Sequence, residues 1–165
     1  MMKYLKSLIL VFTIIIASSC SSDDDSSSSD DNQGSDQDGL VTAQVDGSDF
    51  ESLEAVTFAT IQSGVLNISG RNSDGDTISF LINNFDAAGT FDLSGSTLEG
   101  TGIYLPSGDS IFYSSVNEGG SGSITISEYD EDAETISGTF NYTAVRASDS
   151  DTIEITDGSF SDLEL

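Results

Sequence analysis

From Gly39 to the end of the chain, apolar residues recur at every second position, and no apolar stripe of helical period lasts beyond a turn or two. This alternation constrains the fold more than any other feature. Each segment must be extended, with one face dry and the other wet. The runs "LVTAQV", "AVTFATI", "GVLNISG", "DTISFLI", "GTFDL", "TGIYL", "SIFYSSV", "GSITISEY", "TISGTFNYTAV" and "DTIEITDGSF" read as about nine or ten short strands. Gly, Asp and Asn turns join them, and "DGSDF" reads as a tight turn after the first run. The pattern predicts an all-β domain, an antiparallel meander that closes as a β-sandwich or as an up-and-down, lipocalin-like barrel. One short helical turn fits near "GSDFESLE", and Pro106 sits at the end of a strand run, where it removes no ladder bond.

The alternation also assigns faces. Leu66 and Ile68 share one face, opposite Asn67 and Ser69. Ile78, Phe80 and Ile82 form a matching set, as do Ile124 with Ile126, and Ile136 with Phe140 and Tyr142. A domain spanning residues 39–165 buries roughly two-thirds of its unfolded surface, enough for a core without crosslinks. Within it, "GVLNISGRNSDGDTISF" (64–80) and "GSITISEYDEDAETISG" (122–138) align without gaps. Each reads as one hairpin with an acidic tip. Half-domain duplication and similar hairpin requirements explain the echo equally well.

Ahead of this domain, Lys3 and Lys6 precede the apolar run "SLILVFTIIIA", which is too short to span a bilayer as a helix. Residues 1–19 thus read as a secretory signal peptide. The stretch Ala17, Ser18, Ser19, Cys20 resembles a bacterial lipoprotein box, although Ala17 stands where Leu is usual. The resemblance implies that Cys20 receives a diacylglyceryl group, becomes the new N-terminus and gains a further acyl chain. One chain holds a protein to a membrane only marginally, and several hold it firmly. Residues 20–38 are that cysteine and a Ser/Asp-rich tether with nothing to form a core. Its start, with Ser22, Asp23, Asp24 and Asp25, resembles the export signal that sends Bacteroidota lipoproteins to the outer face of the outer membrane. A solvated spacer explains the same residues without an address.

All 29 acidic residues lie beyond Cys20, where only Arg71 and Arg146 oppose them. Nucleic acid and anionic membrane surfaces are therefore excluded as electrostatic partners, while cationic partners and divalent ions remain. The chain has no histidine and no tryptophan, and Cys20 is its one cysteine. That excludes zinc sites, intrachain disulfides and Ser-His-Asp catalysis.

The phrases "DGSDFES", "GVLNISGRN", "GTFDL", "GSITISEYDEDAETISGTFNYTA" and "IEITDGSFSDLEL" together resemble an uncharacterised family of Bacteroidota lipoproteins. Its members have a signal peptide, a lipidated cysteine and one C-terminal β domain of unknown function. The resemblance implies an outer-membrane lipoprotein with an antiparallel β fold, and it implies no activity or catalytic residue.

Three constellations remain. In "RNSDGDTI", Asn72, Asp74 and Asp76 alternate as at the start of an EF-hand, but glycine comes too early and Asn83 stands where the bidentate Glu belongs. A type I′ turn at Asp74-Gly75 explains these residues without a metal. The equivalent tip groups Asp130, Glu131, Asp132 and Glu134; calcium bridged by Asp130, Asp132 and Glu134 competes with a solvated acidic turn. Asp76-Thr77-Ile78, Asp109-Ser110-Ile111 and Asp151-Thr152-Ile153 resemble the O-glycan acceptor pattern of Bacteroidota, which would make Thr77, Ser110 and Thr152 the acceptors. An aspartate closing a turn before a β-branched strand start explains the same spacing. Tyr104, Phe112, Tyr113, Tyr129 and Tyr142 could line a sugar or peptide groove, or simply pack the core.

Taken together, these features lead us to expect a surface-exposed outer-membrane lipoprotein with a non-catalytic binding, adhesion or accessory domain. Its lipid anchor is at Cys20, its protein or glycan partner is unidentified, and no cofactor beyond calcium is suggested. A lipocalin-like carrier of a small apolar ligand is the alternative, and a carboxylate-based glycan hydrolase is third.

Overall fold

The computed structural model describes residues 39–165. They form an all-β domain of eleven strands: β1 (Val41–Val45), β2 (Ser48–Glu51), β3 (Phe58–Gln62), β4 (Val65–Arg71), β5 (Thr77–Asn83), β6 (Gly89–Asp92), β7 (Gly100–Leu105), β8 (Tyr113–Ser114), β9 (Ser121–Asp130), β10 (Thr135–Arg146) and β11 (Thr152–Glu164). Every pairing is antiparallel, and all strands belong to one sheet. The main path runs β2-β1-β11-β10-β8-β7-β5-β4-β3. The sheet curls on itself into a half-barrel whose facing halves pack together like the layers of a sandwich.

The meander is broken in two places. β6 leaves its sequence neighbours and pairs with β9, so the sheet forks at β10. β1 pairs with β11, joining the two ends of the described segment. Both 64–80 and 122–138 are hairpins, as expected, built from β4–β5 and β9–β10. Some boundaries differ from expectation. "DGSDF" is a turn only at Asp46-Gly47, with φ of 48° and 76°, and strand β2 follows. Phe50 of β2 reaches the core, which is why pairing extends there. The helical turn comes later, as a 3-10 turn at Glu54–Val56. "SIFYSSV" contributes only β8. The Asp74-Gly75 turn is not type I′, because only Gly75 has positive φ; a wider turn closes with Asn72 N–H donating to Asp76 O at 3.0 Å.

The predicted inward faces are the observed ones: Leu66, Ile68, Ile78, Phe80, Ile82, Ile124, Ile126, Ile136, Phe140 and Tyr142 are all buried. Across the core, the Phe80 ring lies 4.6 Å from Phe140 and 5.6 Å from Tyr142, centroid to centroid. The β10–β11 register explains why "GTF" and "GSF" recur near the end of the sequence. Gly138 pairs with Phe160, and Phe140 pairs with Gly158. Each phenyl ring lies over the glycine opposite: a Cβ on Gly138 would stand 2.7 Å from Phe160, and one on Gly158 would enter the Phe140 ring.

At one end the two margins of the half-barrel are pinned together. Ser52 bridges to Asn72, and Leu53 N–H donates to Arg71 O at 2.8 Å. Gly70 permits the approach, since a Cβ there would meet Ser52 and Val41 at 2.9 Å. Buried Ser52 accepts hydrogen bonds from Val41 N–H at 2.8 Å and from the Thr57 hydroxyl at 2.7 Å. Substituting Ser52→Ala strands the buried Val41 amide, and chemical denaturation should show a loss of about 1–3 kcal/mol. An unchanged midpoint would mean that water reaches the amide.

Candidate functional site

The three Asp-Ser/Thr-Ile tripeptides meet at one end of the half-barrel. Thr77 opens β5 opposite Leu105, the last residue of β7. Ser110 lies in the loop after β7, and Thr152 opens β11 opposite Val145. Asp76 accepts from Ser107 N–H at 2.7 Å, tying the first tripeptide to the loop that holds the second. Arg146 ties the second to the third, reaching Asp109 at 3.8 Å, Asp149 at 3.0 Å and Asp151 at 3.1 Å. Its guanidinium sits 4.8 Å above the Tyr113 ring, whose hydroxyl donates to Asp151 at 2.7 Å. Hydrogen bonding to Arg146 holds the Asp149 carboxyl below the usual carboxylate range, and the bond to Asp151 pushes the Tyr113 phenol up.

Ser110 and Thr152 are exposed, whereas Thr77 is half-buried. The turn-closing explanation fits Asp76-Thr77-Ile78 and Asp151-Thr152-Ile153, which lead into strands. It does not fit Asp109-Ser110-Ile111, which lies in an irregular loop with Ile111 about half exposed.

At the β9–β10 tip, one Asp130 oxygen accepts the amides of Asp132 and Ala133, each at 2.9 Å, and Glu134 turns the chain with φ of 56°. The acids there shape a turn. Among the described residues, no three carboxylates come together as a group able to hold a metal ion.

The aromatic residues do not form a common groove. Of the five marked in the sequence, Tyr104, Tyr113 and Tyr142 are buried, Tyr129 is partly buried against Phe85 in a second aromatic cluster, and Phe112 alone is exposed. Tyr113 lies in β8 and is buried, whereas Phe112, just ahead of that strand, is half exposed. Burial pushes the Tyr104 phenol up to about 12, with the Asp76 carboxylate adding to the effect.

Sequence reasoning missed the opening along the margin of the sheet. Beyond the pinned end, β3 and the last residues of β11 approach without pairing. Between them lies an open groove of about 810 Å³ lined by Gly39, Ala55, Phe58, Ala59, Leu163 and Leu165, with Glu54, Asp162 and Glu164 also on it. Leu53, Val56 and Phe58, each 44–48% exposed, stand beside it. The uncharged run "FATIQ" was visible in the sequence, but whether a strand has a second neighbour depends on pairing between distant segments.

The signals at Cys20, Ser22, Asp23, Asp24 and Asp25 lie outside the described residues. For the domain itself, a family model described as a domain of unknown function (DUF6252) matches residues 37–164. The chain belongs to the DUF6252 family. The match covers the whole half-barrel, including the reciprocal Gly/Phe pairs of β10 and β11. No curated protein and no solved structure matches this DUF6252 chain. Among its described residues, no helix is long and apolar enough to cross a membrane.

Proposed function

We propose that this DUF6252 protein is a lipid-anchored lipoprotein of the outer membrane, of the Bacteroidota type, whose half-barrel faces the cell exterior and serves as a non-catalytic binding module. The observation that carries the binding role is the pairing of a filled interior with apolar side chains left on the margin and loops. Phe80, Phe140 and Tyr142 occupy the space a carrier would need for a ligand, which favours a surface role over the lipocalin-like alternative. Leu53, Val56, Phe58, Ile111 and Phe112 remain exposed, and such apolar side chains outside a core are the raw material of recognition surfaces.

The anchor and address rest on the residues around Cys20. Replacing Cys20 by Ser should move the protein from the membrane fraction to the soluble fraction. Unchanged membrane association would refute lipid anchoring. Replacing Asp23, Asp24 and Asp25 by Ala should protect the domain from protease added to intact cells; equal shaving of both forms would reduce the acidic run to a spacer.

A further inference from the structure

We infer that the outer face of β4, β5 and β7 is a docking site for an amphipathic helix of another protein, apolar along its contact line and carrying lysine at both ends. This inference rests on the binding-module reading and supplies its site and partner class.

Three observations converge on this face. The first is its lack of charge. β8, β7, β5, β4 and β3 lie side by side and carry no acidic residue, whereas β2, β6, β9 and β11 all do. In so acidic a chain, this half of the sheet is where another surface approaches without meeting a carboxylate. The exposed large apolar side chains are gathered in the same half. They stand on β3 and β5 or in segments next to β3, β7 and β8. Among the described residues, none stands on β1, β2, β9, β10 or β11.

The second is an apolar track. Leu66, Ile68, Ile78, Phe80 and Ile82 point into the core, so the residues between them point outward. Register places Val65 opposite Asn83, Leu81 opposite Thr101, Ile103 opposite Ser79 and Leu105 opposite Thr77. Val65, Leu81, Ile103 and Leu105 therefore run diagonally from β4 over β5 to β7, each one outward position beyond the last. Leu81 is 40% exposed, and the other three are partly exposed. By strand geometry the track is roughly 22 Å long, the length of about fifteen residues of helix. The core fills the inside of the half-barrel, so this outer face is convex. A helix lies along a convex face, whereas a second sheet meets it only on a narrow strip.

The third observation selects the charge of the occupant. Asp86 and Glu99 lie at the Val65 end of the track, where Phe85 N–H donates to Gly64 O at 2.9 Å and Asn83 N–H to Glu99 O at 2.8 Å. Asp74 lies at the Leu105 end, in the turn that carries β4 into β5. All three acids are exposed, and the ion pairs among the described residues all belong to Arg146. Arg71 turns its Nε to Gly75 O. A helix with an apolar stripe on the track and lysines at its ends satisfies the face and the acids together. A second copy of this chain brings acid to acid at both ends, and the Ser/Asp tether is acidic too.

The test uses the purified full chain carrying Cys20→Ser, so that no detergent competes for the probe. The probes are acetyl-Lys-Lys-Leu-Ala-Lys-Leu-Leu-Lys-Ala-Leu-Ala-Lys-Leu-Leu-Lys-Lys-amide and its counterpart with Glu for Lys. The lysine helix should bind at least about tenfold more tightly at low salt, with the preference shrinking as salt rises. Leu81→Glu separates docking from general attraction. An added acid strengthens general attraction for lysine, whereas loss of an apolar anchor should weaken docking at least about tenfold. Thr139→Glu, on the exposed outer face of β10, should not weaken binding. Because Leu81→Glu can also disturb its strand, Asp86→Lys provides a second variant on an exposed loop side chain. It should weaken the lysine helix and strengthen the glutamate helix. Equal binding of the two helices, or tighter binding by Leu81→Glu, would overturn the inference. Weakening by Thr139→Glu and not by Leu81→Glu would move the site to the other half of the sheet, overturning this inference and leaving the binding-module reading in place. Failure of both helices to bind would overturn the inference and remove what the exposed apolar residues lend to that reading. A dimer in light scattering that Leu81→Glu converts to a monomer would assign the face to a second copy and overturn it too.

Discussion

Replacing Phe140 by Ala should lower the stability of the domain by about 3–5 kcal/mol, the usual cost of emptying a buried phenyl site. Phe140 is 3% exposed and touches both halves of the core, with Phe80 at 4.6 Å and Phe160 at 6.4 Å between ring centroids. The informative partner is Gly158. A methyl group there would enter the Phe140 ring, so Gly158→Ala should cost about 1–3 kcal/mol by overpacking. The two changes must not add. Once Phe140 is Ala, the methyl on residue 158 has room, and Gly158→Ala should become nearly neutral. Urea denaturation of both single variants and the double variant would yield a coupling energy of about 1–3 kcal/mol. Strict additivity would show that the ring and the glycine do not constrain each other.

The second large effect lies at high pH. Tyr142 is 3% exposed, its hydroxyl donates to Ile103 O at 3.0 Å, and burial pushes its phenol far above the ordinary tyrosine range. In the unfolded chain the same phenol ionises near pH 10, to a first approximation. Above that pH the folded state holds a proton that the unfolded state has released, so stability must fall as pH rises. It should decline by about 1.4 kcal/mol per pH unit for this one group. Tyr104, also pushed upward by burial, adds in the same direction. Tyr142→Phe should be less stable than the parent at neutral pH, by about 1 kcal/mol, through loss of the hydrogen bond to Ile103. It should also show a shallower alkaline decline, so the two stability curves cross roughly one unit above the free phenol's pKa. Parallel curves would mean that Tyr142 ionises in place.

How much of this was legible in the sequence depended on the range of the interaction. The faces of β4, β5, β9 and β10 follow from alternation alone, and each assigned residue is inside. The two echoing hairpins were equally clear, because their pairing is local. Pairing between distant segments was not. Nothing near Val41 reveals that β1 lies beside Phe160, and nothing in "GTFDL" reveals that Phe91 pairs with Ile124. β2 read as part of a turn because its pattern shows a single buried residue, Phe50. The repeated Gly-x-Phe phrase was visible in the sequence, but its meaning appears only when β10 and β11 are laid antiparallel and each glycine meets the other strand's ring. Of the site residues, the sequence marked Thr77, Ser110 and Thr152 without showing that they share one end, which Ser107 and Arg146 establish through contacts between loops. At the β9–β10 tip the sequence showed the acids but not that two turn amides donate to one Asp130 oxygen.

The pairing of β1 with β11 has a consequence for the order in which the chain acquires its shape. The first strand of the domain to be synthesised pairs at once with β2 but finds its other partner in the last strand, and β10 also lacks one neighbour until β11 exists. Closing so long a loop is the slow, entropically costly step in folding a β protein. Closure of the half-barrel must therefore wait for the final strand, and any machinery that handles the growing chain meets at most local hairpins rather than a finished domain.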